Sequence, residues 1–387
     1  MQSSLLISTD TSPSYLIPPH QCSPGSLQST HAMILRHLFP RYSSSSTVAS
    51  PTVSNLSSTR SLLHLHGLDA AKFLHGITTA QLLTPPPTGA VYSGFLTAQG
   101  RVLFDVFIYP ANTSAAWRAG LSQSENAQDP AFFVEAHAGE LSKLKAHLLR
   151  YKLRSKVAIR EADDWAAWSV WNGAGVGDGE LGGVDPRAPG FGARMLLPRG
   201  AAPNGQEVGP TQYQLRRIVH GVPEGASEIV PGVALPLESN MDLSCGVDFR
   251  KGCYVGQELT IRTKHTGIVR KRILPVALYA AGTTPPTRLK YMGGNVAQPE
   301  AGAEIRKVTE RRGRPAGKWL DGLGNVGFAL CRLEAMAGVV LDGGSGVTAE
   351  GEAAASREVG EFRVGEEGPG EIRVKAFVPE WMGLPTR

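Results

Sequence analysis

Strand-length apolar alternations, interleaved with helical patterns of about a dozen residues at most, set the limits on what this 387-residue chain can fold into. Residues 62–66 (Leu-Leu-His-Leu-His) read as a strand. Asp69 stands where a helix N-cap belongs, residues 70–75 carry a helical pattern, and Gly76 is placed to close it. Residues 90–96, a turn at Ala98-Gln99-Gly100 and residues 101–109 read as a β-hairpin. A strand at 132–136, a helix over 140–151 with Leu141, Leu144, Leu148 and Leu149 on one face, and a strand at 156–160 follow. This mixture predicts an α+β layer rather than a doubly wound parallel sheet. Residues 171–210 are heavy in Gly and Pro and read mostly as an elaborated loop. Helices are expected at 213–220 and at 256–264, where Glu258 and Arg262 have the favourable i, i+4 spacing. A strand at 270–278 then enters a β-rich second domain with further strands at 325–331 and 371–378. Residues 282–299 and 341–370 read as loops.

The first sixty or so residues are rich in Ser, Thr and Pro, with Asp10 their only acid. Residues 33–42 alternate apolar side chains with Arg36, His37 and Arg41, and the serine tract 43–46 follows. That is the composition of a mitochondrial transit peptide; a plain tail, with translation starting at Met33, is the alternative. The resulting division is a leader over 1–58, a first domain over 59–269 and a second over 270–387. No apolar run approaches the ~18 residues that span a bilayer, so no membrane-integral role is expected. A net charge of +5 permits an acidic partner without requiring one.

Chemistry concentrates in Lys251-Gly252-Cys253-Tyr254-Val255-Gly256-Gln257-Glu258. A thiol beside a lysine and just ahead of a helix is where reactivity can be tuned, since the thiolate is the nucleophile and the metal ligand. The opposing reading is a buried structural cysteine. The four cysteines, Cys22, Cys245, Cys253 and Cys331, include no Cys-x-x-Cys pair, and a disulfide framework is not expected. With Cys22 in the leader, three scattered thiols do not make a self-contained iron–sulfur site. His64 and His66 share one side of a strand, where packing outweighs a zinc pair. The run Arg262, Lys264, His265, Arg270, Lys271, Arg272 is either a solvated face or a surface for a polyanion; without interleaved aromatics, nucleic acid is not expected. No P-loop or dinucleotide fingerprint is present. Asp105, Glu238, Asp242 and Asp248 are available for acid–base work.

The octapeptide, with Leu235 to Asp242 and Gly246 to Arg250 ahead of it, resembles the signature of the YgfZ-type folate-binding-like family, and most closely its mitochondrial iron–sulfur assembly branch. Residues 67–79, 94–105 and 149–157 are similar to further, individually weaker motifs. The resemblance implies a fold like the glycine-cleavage aminomethyltransferase with a C-terminal β-barrel. It implies a tetrahydrofolate cavity served by Lys251, Gly252, Tyr254, Gly256, Gln257, Glu258, Arg101 and Asp105. It makes Cys253 the key thiol and a transient cluster ligand, with no stable metal or cluster in the isolated chain. The implied location is the mitochondrial matrix. The implied partners are A-type cluster-assembly proteins and four-iron client apoproteins such as aconitase, lipoate synthase and biotin synthase, not a membrane or nucleic acid. The aminomethyltransferase carries adjacent aspartates where this chain has Phe104-Asp105, which weakens transferase chemistry. A folate-dependent aminomethyl- or methyltransferase and a tRNA-modification factor stand as alternatives. Residues 182–205, 282–299 and 341–370 read as insertions.

Overall fold

The computed structural model describes residues 50–385, except 113, 122–125, 174, 175, 178, 295, 310–312, 340–359, 366, 367 and 369. The leader's Arg/Ser run lies outside the described residues, as does most of the stretch 341–370. Ten strands precede the last domain: β1 (Thr52–Asn55), β2 (Arg60–His66), β3 (Val91–Leu96), β4 (Val102–Pro110), β5 (Ala131–His137), β6 (Ala158–Glu161), β7 (Trp165–Trp171), β8 (Leu181–Val184), β9 (Ala193–Pro198) and β10 (Gln206–Glu207). Between and after them come α1 (Ala70–Ile77), α2 (Ala115–Ala119), α3 (Leu141–Lys152), α4 (Pro210–His220) and α5 (Gln257–Thr266). The strands form two five-stranded sheets, ordered β3-β4-β5-β2-β6 and β10-β1-β7-β9-β8.

The period of two decides the layers. Leu63, Leu65, Phe104, Val106, Ile108, Phe132 and Val134 point to one face of the first sheet. There they pack with Phe73, Leu74 and Ile77 of α1 and Leu141, Leu144 and Leu148 of α3. Their neighbours Leu62, Phe107, Tyr109 and Phe133 point the other way, into a core shared with Trp165, Leu196 and Tyr213.

That second face also carries lone charges, which the sheets close over. Arg60 pairs with Glu135 at 2.7 Å and with Asp105 at 3.3 Å. Arg194 pairs with Glu135 at 3.0 Å and with Glu224 at 2.6 Å. Arg187 reaches Glu224 and Asp185, each at 2.7 Å, and Arg217 reaches Glu228 at 2.7 Å. The Arg187 and Arg194 guanidiniums lie 4.9 and 4.7 Å from the Phe107 ring centroid, and the Tyr213 hydroxyl donates to Glu224 at 2.8 Å. All of these side chains are buried.

Six strands make a closed antiparallel barrel, ordered β11-β14-β13-β12-β15-β16. They are β11 (Lys271–Ala280), β12 (Glu304–Lys307), β13 (Gly317–Leu323), β14 (Val326–Arg332), β15 (Phe362–Val364) and β16 (Ile372–Ala376), with the one-turn α6 (Leu333–Met336) after β14. Leu274, Val276 and Leu278 fill its interior with Trp319, Ala329, Cys331 and Val374.

Several expectations need correction. Residues 52–55 are a strand with Val53 buried, so order begins inside the segment assigned to the leader. Gly76 does not close α1. The helix continues to Ile77, and Thr78 ends it in extended geometry, its hydroxyl bonded to Leu74 O at 2.8 Å. Asp69 makes no side-chain cap; its carboxylate accepts from Lys156 N at 2.7 Å instead. Leu149 is exposed, apart from the buried stripe of α3. Residues 171–210 are not mainly loop. They supply β8, β9 and β10 together with Arg187 and Arg194, because glycine lets these strands pass close to neighbouring backbone. A Cβ on Gly182 would lie 2.3 Å from Arg194 O. Within 341–370, residues 362–364 are a strand of the barrel.

Burial alone would raise the Glu224 carboxyl, but four guanidiniums, Arg194 foremost, hold it well below the usual carboxylate range. A depressed carboxylate contributes stability above its unfolded pKa near 4.5, and that stability is lost as pH falls through the lower folded value. Glu224→Gln should therefore cost about 3–5 kcal/mol at neutral pH, since it leaves buried cations uncompensated. It should also flatten the loss of stability below pH 4.5. Urea unfolding at a series of pH values checks both; parallel acid limbs for the two proteins would show that Glu224 does not carry the dependence.

Candidate functional site

The octapeptide is a loop fastened at both ends. At the first end, Lys251 Nζ donates to three backbone carbonyls: His75 at 2.6 Å, Thr78 at 2.5 Å and Ala80 at 2.9 Å. These carbonyls belong to the exit of α1, where a helix leaves acceptors without intrahelical donors. The ammonium also lies 4.8 Å from the Tyr254 ring centroid. Burial pushes the amine down to about 7 and Asp248 opposes the shift. The three acceptors further favour the form with three N–H donors.

At the second end, Val255 N donates to Gly76 O at 3.2 Å. The Gln257 side-chain oxygen accepts from Tyr254 N at 3.3 Å. Gly256 has φ 81° and lies against the hairpin turn, where Gly100 also has φ 81°. A Cβ on Gly256 would stand 2.2 Å from Thr97 O, and one on Gly100 2.9 Å from Gly256 O. Only glycine meets both demands, so turn and loop seat on each other. Thr79 binds the surrounding pieces together: its hydroxyl donates to Gly246 O at 2.5 Å and accepts from Gly94 N at 2.8 Å, and its carbonyl accepts from Asp248 N at 2.9 Å.

Between these anchors Gly252 and Cys253 are exposed. The other free thiol among the described residues, Cys331, is buried in the barrel, where burial raises it far above the usual range. His75 is a neighbour that sequence reasoning did not single out. A Cβ on Gly252 would lie 3.8 Å from its Nε2, while Nδ1 accepts from Leu82 N at 3.3 Å. Burial, then Lys251, lowers the His75 pKa. Tyr254 is buried and its hydroxyl has no partner; burial and Asp248 push it up to about 12. Glu258 is exposed at the start of α5.

Arg101 and Asp105 do not join this group. The exposed Arg101 donates to Val233 O at 2.5 Å. Asp105 is buried, held by Arg60 and by Gly225 N at 3.1 Å. The hollow beside it, next to Phe104 and His137, measures about 10 Å³, the space of one water. A larger hollow of about 240 Å³ lies between residues 235–238, α5 and residues 268–271 and is mainly apolar; drug-sized ligands take about 300–1,000 Å³. The residues at Asp105 therefore do not fit a pterin, and Lys251, with its three donors engaged, offers none to a folate. In this structure the octapeptide forms a backbone clamp through Lys251 and displays the Cys253 thiol.

The basic run is likewise divided. Arg272 is buried against Asp242 at 2.8 Å, Lys271 lies 3.9 Å from Glu238, and Lys264 stands over Phe249. Glu258 and Arg262 form no ion pair among the described residues. His64 accepts from Trp117 Nε1 at 2.9 Å, and His66 Nε2 lies 2.8 Å from Asn126 O. Among the described residues no group of three His, Cys, Asp or Glu side chains is placed to hold a metal.

Two sheets, a helical layer and a closed barrel define the class: the structure is similar to the glycine cleavage system aminomethyltransferase T of Bartonella henselae, with a TM-score of 0.56 and 13% identity over 88% of each chain. Residues 270–384 match the family described as the CAF17 C-terminal beta-barrel domain. Closer relatives are fungal proteins named mitochondrial iron–sulfur cluster assembly factor IBA57 homologues. That of Aspergillus fumigatus is 42% identical, covering 84% of this chain and 80% of its own. That of Neurospora crassa is 40% identical over 90% and 84%, and that of Pyricularia oryzae 43% identical over 84% and 83%. The chain belongs to this family of mitochondrial iron–sulfur cluster assembly factors.

Lys251→Met should strand the three carbonyls and cost about 1–3 kcal/mol. Lys251→Arg should restore little, because a planar fork cannot meet three converging acceptors as an ammonium does. Thermal unfolding and limited proteolysis after residue 250 would check this. Unchanged stability and cleavage in Lys251→Met would show that the clamp is idle.

Proposed function

We propose that the chain matures four-iron proteins in the mitochondrial matrix by presenting Cys253 to a cluster held jointly with an A-type assembly protein. The cluster is cargo. The single observation that carries the reading is the exposed Cys253 on a loop pinned by Lys251 and Val255. A thiolate is a soft ligand suited to iron–sulfur clusters. A pinned loop lowers the cost of ordering it when a partner arrives. The clients proposed are enzymes such as aconitase, lipoate synthase and biotin synthase.

Cys253 is exposed and no hydrogen bond holds its thiol, so Cys253→Ser should leave stability within about 0.5 kcal/mol. The variant should accumulate normally in depleted cells yet fail to restore aconitase activity and protein lipoylation. Full rescue by Cys253→Ser, or normal lipoylation after depletion, would defeat the proposal. An anaerobic titration with the A-type partner, followed by cluster absorbance, should show a shared cluster with the wild type and none with Cys253→Ser.

The folate-dependent transferase reading fares worse on the geometry of Asp105. Tetrahydrofolate should neither shift the thermal midpoint nor support turnover with an aminomethyl donor. Turnover that Asp105→Asn abolishes would favour the transferase instead. Arg272 is withdrawn from the basic run by burial against Asp242, while Arg262, Lys264, His265 and Arg270 stay exposed; tRNA retained at physiological salt and lost on charge reversal at these exposed positions would favour the tRNA-modification reading instead.

A further inference from the structure

The end of α3 carries apolar side chains where its own fold does not need them. The helix buries Leu141, Leu144 and Leu148. Leu149, on the other face, is 52% exposed, and Leu153, one turn further on, is 87% exposed. Leu153 occupies the tip of a tight turn in which Ser155 N donates to Lys152 O at 2.8 Å. Its φ of 46° and ψ of −113° are those of the first central position of a type II′ turn, a place that suits glycine and strains any side chain. Leu68, 62% exposed, adjoins the same turn, since the next residue, Asp69, exchanges hydrogen bonds with Lys156.

Cations surround these leucines. Arg150, Lys152, Arg154 and Lys156 form no ion pair among the described residues, whereas Lys143 and Lys145, further back on α3, are paired with Glu140 and Glu161. The corner therefore projects apolar side chains at its tip and carries four cations around it, with the Asp69 carboxylate held against Lys156 N.

We propose that this corner is a peripheral membrane-contact surface for the anionic headgroup layer of a phospholipid bilayer. Leu149 and Leu153 enter the acyl boundary while the four cations meet lipid phosphate. A protein partner would need a fixed hollow for each projecting leucine; a headgroup layer adapts to a projecting tip. No helix among the described residues is long and apolar enough to cross a membrane, and this contact needs none. The strained leucine is the most telling residue: glycine would sit there without strain but would give the surface nothing to insert.

That strain supplies a variant that should not fail by misfolding. The full chain should cosediment with phosphatidylcholine vesicles containing cardiolipin and not with phosphatidylcholine alone. Leu153→Gly should keep or raise the thermal midpoint yet weaken vesicle binding about tenfold. Each cation removed should weaken it roughly fivefold at low salt, and Arg150→Glu with Arg154→Glu should abolish it. Failure of the wild type to bind cardiolipin vesicles, or equal binding to neutral ones, would overturn the proposal. Binding lost on charge reversal but untouched by Leu153→Gly would also overturn it, pointing to a purely electrostatic contact such as an acidic protein.

Discussion

Glu224 and the arginines that converge on it are the constraint on which the rest of the first domain depends. Arg187 and Arg194 come from the segment around β9, Tyr213 from α4, and Arg60 and Glu135 from the other sheet, so one polar cluster ties both sheets to a helix. Burying such charges costs several kcal/mol per ion unless each is paired and hydrogen-bonded. Here the pairing is extensive, and the aromatic faces of Phe107 and Tyr213 cover much of the guanidinium surface. A cluster of this kind is weak evidence for net stability. It does specify how the sheets face each other, because any other register leaves a bare charge inside.

The same cluster decides what chemistry remains. Asp105 is the aspartate that the transferase resemblance would put to catalytic use, yet Arg60 and Gly225 N engage its carboxylate and the adjoining hollow is about the size of a water. Both of its oxygens are engaged by the protein itself, Oδ2 by Arg60 and Oδ1 by Gly225 N. The buried carboxylates and guanidiniums thus serve to hold the sheets together, while the exposed loop displays Cys253.

Much of the first sheet was legible in the sequence because its strands alternate cleanly and its hairpin turn contains Gly100. The barrel was expected from the family resemblance, although β12 and β15 carry too few residues between loops to declare themselves and β13 is masked by Gly317 and Gly322. The segment 171–210 misled for a physical reason: glycines that read as loop allow strands to pass against other backbone, as Gly182 does against Arg194 O. The buried cluster did leave a trace, since Asp105, Glu135 and Arg194 are each a lone charge within an apolar strand, and opposite lone charges on facing strands suggest a buried pair. The Lys251 clamp left none. Its partners are backbone carbonyls more than 170 residues away in the chain, with side chains that say nothing about it.

Ligand counting gives the exposed loop its meaning. A protein-held four-iron cluster takes four ligands, usually thiolates. Among the described residues the free thiols are Cys253 and Cys331, and the second is sealed inside the barrel. Under the proposed role, one accessible thiol suits a shared site better than a resident one, since the remaining ligands would come from another molecule and could leave with it. Rigidity matters more than affinity in that role. A thiol on a floppy loop would have to be ordered at every encounter, whereas Lys251, Val255 and the facing pair Gly100 and Gly256 order it beforehand. The lysine that appeared in sequence as a partner for the thiol therefore acts through the backbone: it sets where Cys253 stands.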